Sequence, residues 1–217
     1  MKDASANSIP RQTLQRLPLY LSYLKELPES GFISATGIAD ALGYNHVQVR
    51  KDLASVSHSG RPKVGYATRD LIRDIERSLG YDSTHNAVLV GAGKLGSALL
   101  GYDGFIRYGL HIVMAFDERE ELFGAEISGC PVRPAREIVS QCRHLGASIG
   151  IITVPAAQAQ AVCDRLVEGG IEAIWNFAPI RLIVPDDILV QNENMASSLA
   201  VLSQHLSDKK RPEPQTP

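Results

Sequence analysis

The chain is short of cysteine, of aromatic residues and of net charge, and it has no long apolar run. Its 217 residues include only Cys130, Cys142 and Cys163, an odd number with no C-x-x-C spacing. That set suits neither a disulfide framework nor a zinc site; it suits buried thiols in a reducing compartment. No segment approaches the ~18 apolar residues of a membrane-spanning helix, and the opening Met-Lys-Asp-Ala-Ser-Ala-Asn-Ser lacks a signal-peptide core. A cytoplasmic protein with no membrane or metal partner is expected. The histidines are also poorly placed for catalysis. His46, His58, His85, His111, His144 and His205 all lie away from the carboxyl ends of the strands read below, and no Tyr-x-x-x-Lys pair lies on a helix beside them.

What is present suffices for one or two domains with real cores, since 44% of the residues are hydrophobic. The net charge of −2 hides an asymmetry: residues 1–82 carry 11 Lys+Arg against 9 Asp+Glu, the remainder 11 against 15. From Asn45 to Tyr66, Arg50, Lys51, Arg61 and Lys63 face Asp52 alone, a local excess of three positive charges that is a weak nucleic-acid signal by itself.

The first part reads as helical. Leu14, Leu17, Leu21, Leu24 and Leu27 form one stripe, with Pro18 marking a helix start or a kink. Ser34 can cap a short helix that stops at Gly43, and Asn45 can cap the next, with Gln48 completing a loose capping box. Val49, Leu53 and Val56 make the core face of that second helix, from which Val47 and Lys51 point away while Gln48 and Arg50 flank it. Two short helices across a glycine turn make a helix-turn-helix; Arg61-Pro62-Lys63-Val64-Gly65-Tyr66 then reads as a basic wing.

From Asn86 onward, β and α segments alternate. Apolar runs at 87–90, 111–116, 149–154 and 171–175 read as buried parallel strands, separated by helices over 95–105, 135–142 and 157–167. This predicts an α/β fold with a doubly wound parallel sheet. Gly91-Ala92-Gly93-Lys94-Leu95-Gly96 follows a strand directly and opens a helix, the context that makes G-x-G-x-x-G informative. Gly91 allows the tight turn, Gly93 lets backbone approach a pyrophosphate, and Gly96 lets helix and strand pack closely. Asp117, 21 residues past Gly96, ends the next strand, where a carboxylate accepts ribose hydroxyls and repels a 2′-phosphate. NAD(H) is therefore expected rather than NADP(H). Thr153-Val154-Pro155 and Asn176-Phe177-Ala178-Pro179 follow two further strands, so Thr153, Val154, Pro155, Asn176 and Phe177 are candidate neighbours of the cofactor or ordinary turn residues before proline. A dinucleotide crevice without an acid/base group suggests a signal rather than a reagent.

Val49-Arg50-Lys51-Asp52-Leu53, Val64-Gly65-Tyr66, the glycine motif, Phe116-Asp117, Thr153-Val154-Pro155 and Asn176-Phe177-Ala178-Pro179 together resemble the redox-sensing transcriptional repressors of the Rex family, from about Ile9 to Leu206. The resemblance implies a homodimer that reads a palindromic operator through winged-helix domains, binds NADH and NAD⁺ competitively, and releases DNA when NADH is bound. It assigns Gln48, Arg50 and Lys51 to the major groove or its phosphates, Arg61, Lys63 and Tyr66 to the wing, and Tyr102, on the helix after the glycines, to the nicotinamide. The implied organisation is a winged helix-turn-helix over 1–82, a Rossmann domain over 83–190, a dimerisation helix over 191–207 and a disordered tail over 208–217. The wing departs from the family's glycine-rich pattern between Ser57 and Lys63; Ser22 and Asn194 stand where many members have an arginine and an aspartate. A small NAD-dependent oxidoreductase and a DNA-binding regulator responding to another nucleotide, such as coenzyme A, are the alternatives.

Overall fold

The computed structural model describes residues 9–209, the side chain of Met195 aside. The chain divides into two compact units between Ser83 and Thr84.

The first unit comprises α1 (Arg11–Lys25), β1 (Phe32–Ile33), α2 (Ala35–Leu42), α3 (His46–Val56), β2 (Tyr66–Ala67) and α4 (Thr68–Ser78). Ser34 Oγ accepts the Gly37 amide to cap α2, which ends at Gly43 with φ 68°. Asn45 Oδ1 accepts the amides of Val47 and Gln48 to start α3. Leu17, Leu24, Ile38, Val49, Leu53, Leu71 and Ile75 are fully buried between the helices. β1 and β2 pair antiparallel, and an Arg61–Gly65 bridge closes the wing. Gly65 is required there: at φ 93°, a Cβ would collide with the Ile33 carbonyl.

Two expectations change. α1 starts seven residues before Pro18, which sits inside it. Proline removes one hydrogen bond, but burial of Leu17, Tyr20, Leu21 and Leu24 on one face, each worth about 1.5–3 kcal/mol, offsets that loss. Gln48 does not complete a capping box; its side chain reaches forward to Asp52 instead.

The second unit contains β3 (His85–Val90), α5 (Lys94–Leu100), β4 (Leu110–Asp117), β5 (Glu126–Ile127), β6 (Cys130–Pro134), α6 (Ile138–Leu145), β7 (Ile149–Ile152), α7 (Ala156–Glu168), β8 (Ala173–Asn176), β9 (Leu189–Asn192) and α8 (Met195–Lys209). The strands form one sheet in the order β5-β6-β4-β3-β7-β8-β9. All pairings are parallel except that of β5 with β6. Counted from β3, the six parallel strands run 3-2-1-4-5-6, the Rossmann order, whose direction reverses between β3 and β7. Val88, Val90, Phe116 and Ile152 fill one face of the sheet, and Ala87, Leu89, Ala115 and Ile151 the other. Cys130, Cys142 and Cys163 are buried in these cores, and burial pushes each thiol up to about 11.

The helix expected over 95–105 stops at Leu100, and Asp103–Tyr108 forms a 3₁₀ helix. Gly101 and Gly104 interrupt the α pattern, so Tyr102 lies between two helical pieces and not on the helix itself. The expected strand over 149–154 ends at Ile152, leaving Thr153 and Val154 in the following turn, and the strand expected from Ile171 begins at Ala173. β5, β6 and β9 are short, and β6 carries two prolines, which hid them from the apolar pattern. Of the tail expected over 208–217, Asp208 and Lys209 continue α8, whereas 210–217, like 1–8, lie outside the described residues. Asn194 Oδ1 accepts the Ser197 amide at the start of α8. Leu199, Val201, Leu202 and Leu206 along α8 are each more than half exposed.

Candidate functional site

The reversal of strand order creates a crevice at the carboxyl ends of β3 and β7, and the chain lines it from several loops. Gly91, at φ 103°, makes the turn after β3, and a Cβ there would press on the Thr153 backbone. A Cβ on Gly96 would strike the Gly91 carbonyl, whereas Gly93 faces open space. The two crowded glycines let α5 approach the sheet; the open one leaves backbone accessible. Gly93 provides no side chain to cap α5. Thr153 Oγ1 donates to the carbonyls of Val90 and Gly91 at 3.0 and 2.7 Å, tying the loop after β7 to the glycine turn.

A cavity of about 280 Å³ opens here, lined by Gly91, Gly93, Asp117, Thr153, Val154 and Pro155 of the sequence candidates, and by Glu118, Arg119 and Gln158, which sequence reasoning missed. Asp117 is 8% exposed. Its Oδ2 accepts the Ala92 amide at 2.8 Å and Arg119 Nη2 at 3.1 Å; its Oδ1 accepts the Arg119 amide and Nε, both at 3.0 Å. Burial pushes this carboxyl's pKa up, but the Arg119 side chain and the two backbone amides outweigh it and hold it below the usual value. Arg119 Nη2 also donates to the Ala92 carbonyl at 3.0 Å, so the guanidinium closes over the glycine turn. A carboxylate has about four lone-pair positions, and all are engaged. The signal for Arg119 was its place just beyond a strand end, two residues after Asp117. Gln158 Nε2 donates to Glu118 Oε2 at 3.3 Å.

The other candidates lie elsewhere. Ala92 is buried in the turn and Gly96 in α5, Leu95 is half-buried, and Lys94 is exposed at the start of α5. Asn176 is fully buried and structural: Nδ2 donates to the carbonyls of Ala178 and Ile180 and to Asn192 Oδ1, while Oδ1 accepts the Ala178 amide. Tyr102 lines a separate cavity of about 200 Å³ with Phe105 and Cys130, and Phe177 another of about 800 Å³ beside Asn192, Asn194 and Ala196. Edge-to-face contacts nevertheless link Tyr102 to Phe105 and Phe105 to Trp175, whose ring tilts against Phe177.

In the first unit, Arg50 and Lys51 project from α3 and are exposed, as are Arg61 and Lys63 on the wing, where Lys63 adopts φ 64°. Tyr66 is half-buried in β2, against Gly60. Gln48 is engaged within the unit, as part of a cluster built around Asp52. Asp52 is 1% exposed and receives Thr13 Oγ1 (2.9 Å), Arg16 Nε and Nη2 (2.7 and 2.9 Å), the Tyr20 hydroxyl (2.8 Å) and Gln48 Nε2 (3.0 Å). Burial alone would raise its pKa, but Arg16 and the other donors hold the carboxyl below the usual range. Burial and the Asp52 carboxylate push the Tyr20 hydroxyl up to about 12. Asp52 lies three residues after Val49 and four before Val56, on the core stripe; that position was the sequence signal for its burial. No group of three or more potential metal ligands occurs among the described residues, nor is any helix among them long and apolar enough to cross a membrane.

A family of CoA-binding domains matches residues 82–180, and a family described as a putative DNA-binding protein N-terminus matches residues 8–54. A redox-sensing transcriptional repressor Rex from Bacteroides thetaiotaomicron is 40% identical over 95% of both chains. One from Bacteroides fragilis is 41% identical over 93% of both. The crystal structure of RSP in complex with β-NAD⁺ and operator DNA matches with a TM-score of 0.89 and 34% identity, covering 94% of each chain. RSP in complex with β-NADH matches with a TM-score of 0.83 and 33% identity, covering 93% of this chain and 96% of that one. With identity of this order along nearly its whole length, the chain belongs to the family of redox-sensing transcriptional repressors called Rex.

Proposed function

We propose that the protein is a DNA-binding transcriptional repressor that senses the NADH/NAD⁺ ratio, with NADH binding releasing operator DNA. The observation that carries this is the coexistence in one chain of a winged helix-turn-helix and a Rossmann crevice whose glycine turn and second-strand carboxylate suit a dinucleotide. The solved relative RSP binds β-NAD⁺ with operator DNA, and binds β-NADH.

Gly91, Gly93 and the first amides of α5 would carry the pyrophosphate, and Asp117 the adenosine ribose. The residues fit, on one condition: because the carboxylate is filled by Arg119 and Ala92, Arg119 must swing aside for the ribose hydroxyls. Thr153, Val154 and Pro155 would wall the site; Lys94, exposed at the turn, adds a positive charge near the phosphates. Tyr102 and Phe177, joined to each other through Phe105 and Trp175, would serve the nicotinamide end, outside the cavity at the glycine turn. The difference between oxidised and reduced nicotinamide supplies the signal when the dinucleotide is bound. Arg50, Lys51, Arg61, Lys63 and Tyr66 would face DNA; Gln48 contributes by fixing Asp52. The protein acts as a homodimer, its α8 covering the exposed Leu199, Leu202 and Leu206 against a second copy, and has no catalytic step of its own in the cytoplasm.

Coenzyme A is the second ligand to weigh, because the matching family of residues 82–180 is described by it. Asp117 favours NAD(H), since coenzyme A carries a phosphate on its adenosine ribose that this carboxylate would repel. The test is NADH fluorescence titrated with and without coenzyme A, followed by a mobility shift on selected operator DNA. NADH should bind, resist competition and lower operator affinity about fivefold or more. Unchanged operator affinity at saturating NADH would overturn sensing; a monomer in light scattering would overturn the dimer.

A further inference from the structure

We propose that Val47 is a specificity-determining residue that reads the 5-methyl group of a thymine in the operator's major groove. The proposal rests on the DNA-binding reading above and adds a residue to it.

Val47 is the second residue of α3, the second helix of the helix-turn-helix, and in that motif the N-terminal residues of this helix meet base edges. Its amide is fixed by Asn45 Oδ1 at 2.9 Å. At helical spacing, Val47, Arg50 and Lys51 share one face, and all three are exposed, Val47 by 56%. The opposite face, carrying Val49, Asp52 and Leu53, is buried. An isolated exposed valine is ordinary on a protein surface. This one lies one turn before two cations on the surface expected to meet phosphate and base, where closing the interface would strip its water.

The polar residues around it are engaged. One Nε2 proton of Gln48 is held by Asp52 Oδ1 at 3.0 Å, which draws its side chain back toward the core face. His46 Nε2 is paired with Asp40 Oδ1 at 2.7 Å. The first turn of α3 therefore presents an apolar group to the groove. Among base-pair edges there, the thymine methyl is the apolar partner. Valine suits the task because its branched Cβ holds χ1 in one rotamer.

The experiment starts by selecting an operator from random DNA with the full chain. If no sequence is enriched, sequence-specific DNA binding itself fails, independently of Val47. In the selected operator, each thymine is replaced in turn by deoxyuridine, which removes only the methyl, and affinity is measured for wild type, Val47→Ala and Val47→Ile. Wild type should lose about fourfold at one thymine per half-site, the worth of one methyl withdrawn from water. Val47→Ala, which removes the contact in both half-sites of the dimer, should bind the normal operator about sixteenfold more weakly and show no further loss with deoxyuridine, while Val47→Ile should keep the response. A denaturant melt of the first unit like that of wild type would show that the exposed-site variants fold. The proposal is overturned if no thymine methyl affects wild-type binding, or if Val47→Ala responds to deoxyuridine as strongly as wild type.

Discussion

Asp52 in the first unit and Asp117 in the second are built from the same parts. Each is nearly buried, each has both oxygens engaged, and each is held below the usual carboxylate pKa with an arginine as its ion-pair partner. What surrounds them differs. Around Asp52 stand Thr13, Tyr20 and Gln48, and the Arg16 side chain is only 18% exposed. Around Asp117 lie a cavity, two backbone amides and an Arg119 side chain 48% exposed. An aspartate–arginine pair walled by protein is architecture, whereas one bordered by open space can exchange its partner for a ligand. Asp52 thereby ties α3 to α1, whereas Asp117, on the proposed function, would exchange Arg119 for a ribose.

The largest effect should come from Asp52→Asn, which leaves Arg16 without its counter-ion and turns amide protons toward Thr13 and Tyr20. Removing one partner of a buried pair costs about 3–5 kcal/mol, so denaturant melts should show the first unit unfolding early while NADH titration stays within about twofold. Asp117→Ala should do the reverse, weakening NADH about ten- to a hundredfold in fluorescence titrations with little change in melting. Comparable unfolding by both variants would break the contrast. Smaller effects come from α3's outward cations. Lys51→Ala should reduce the salt slope of DNA binding by about one, whereas Arg50→Ala should relax preference at one base pair. The smallest is a dependence on acid. Because Asp52 is below its ordinary value of 3.8 when folded, its contribution is complete above about pH 4 and disappears as pH falls through the lower, folded value. Circular dichroism should show an acid limb there that Asp52→Asn flattens.

Much of the fold was legible because it repeats simple patterns. The caps at Ser34 and Asn45, the stops at glycine and the continuous strands around the glycine motif each rest on one local rule. α1 was harder: Pro18 reads as a break until tertiary burial of its apolar face is counted. β6 and β9 escaped because short edge-side strands with proline or polar residues carry no periodic signal. At the site, Gly91, Gly93, Asp117 and the Thr153 loop could be found by motif and strand end. Arg119 and Gln158 could not be assigned, since a polar side chain in a loop or on a helix surface acquires its role only from what the fold sets beside it. Asn176 went the other way, a strand-end asparagine whose hydrogen bonds hold its own turn and tie it to Asn192 of β9.

The three cysteines carry a further consequence. Burial raises all three thiols to about 11, so the thiolate, the form that attacks peroxides and disulfides, is disfavoured at neutral pH. Buried and held as thiols, the three are poor targets for chemical oxidants. The protein's own sulfur therefore offers oxidants no ready second input beside the two dinucleotides.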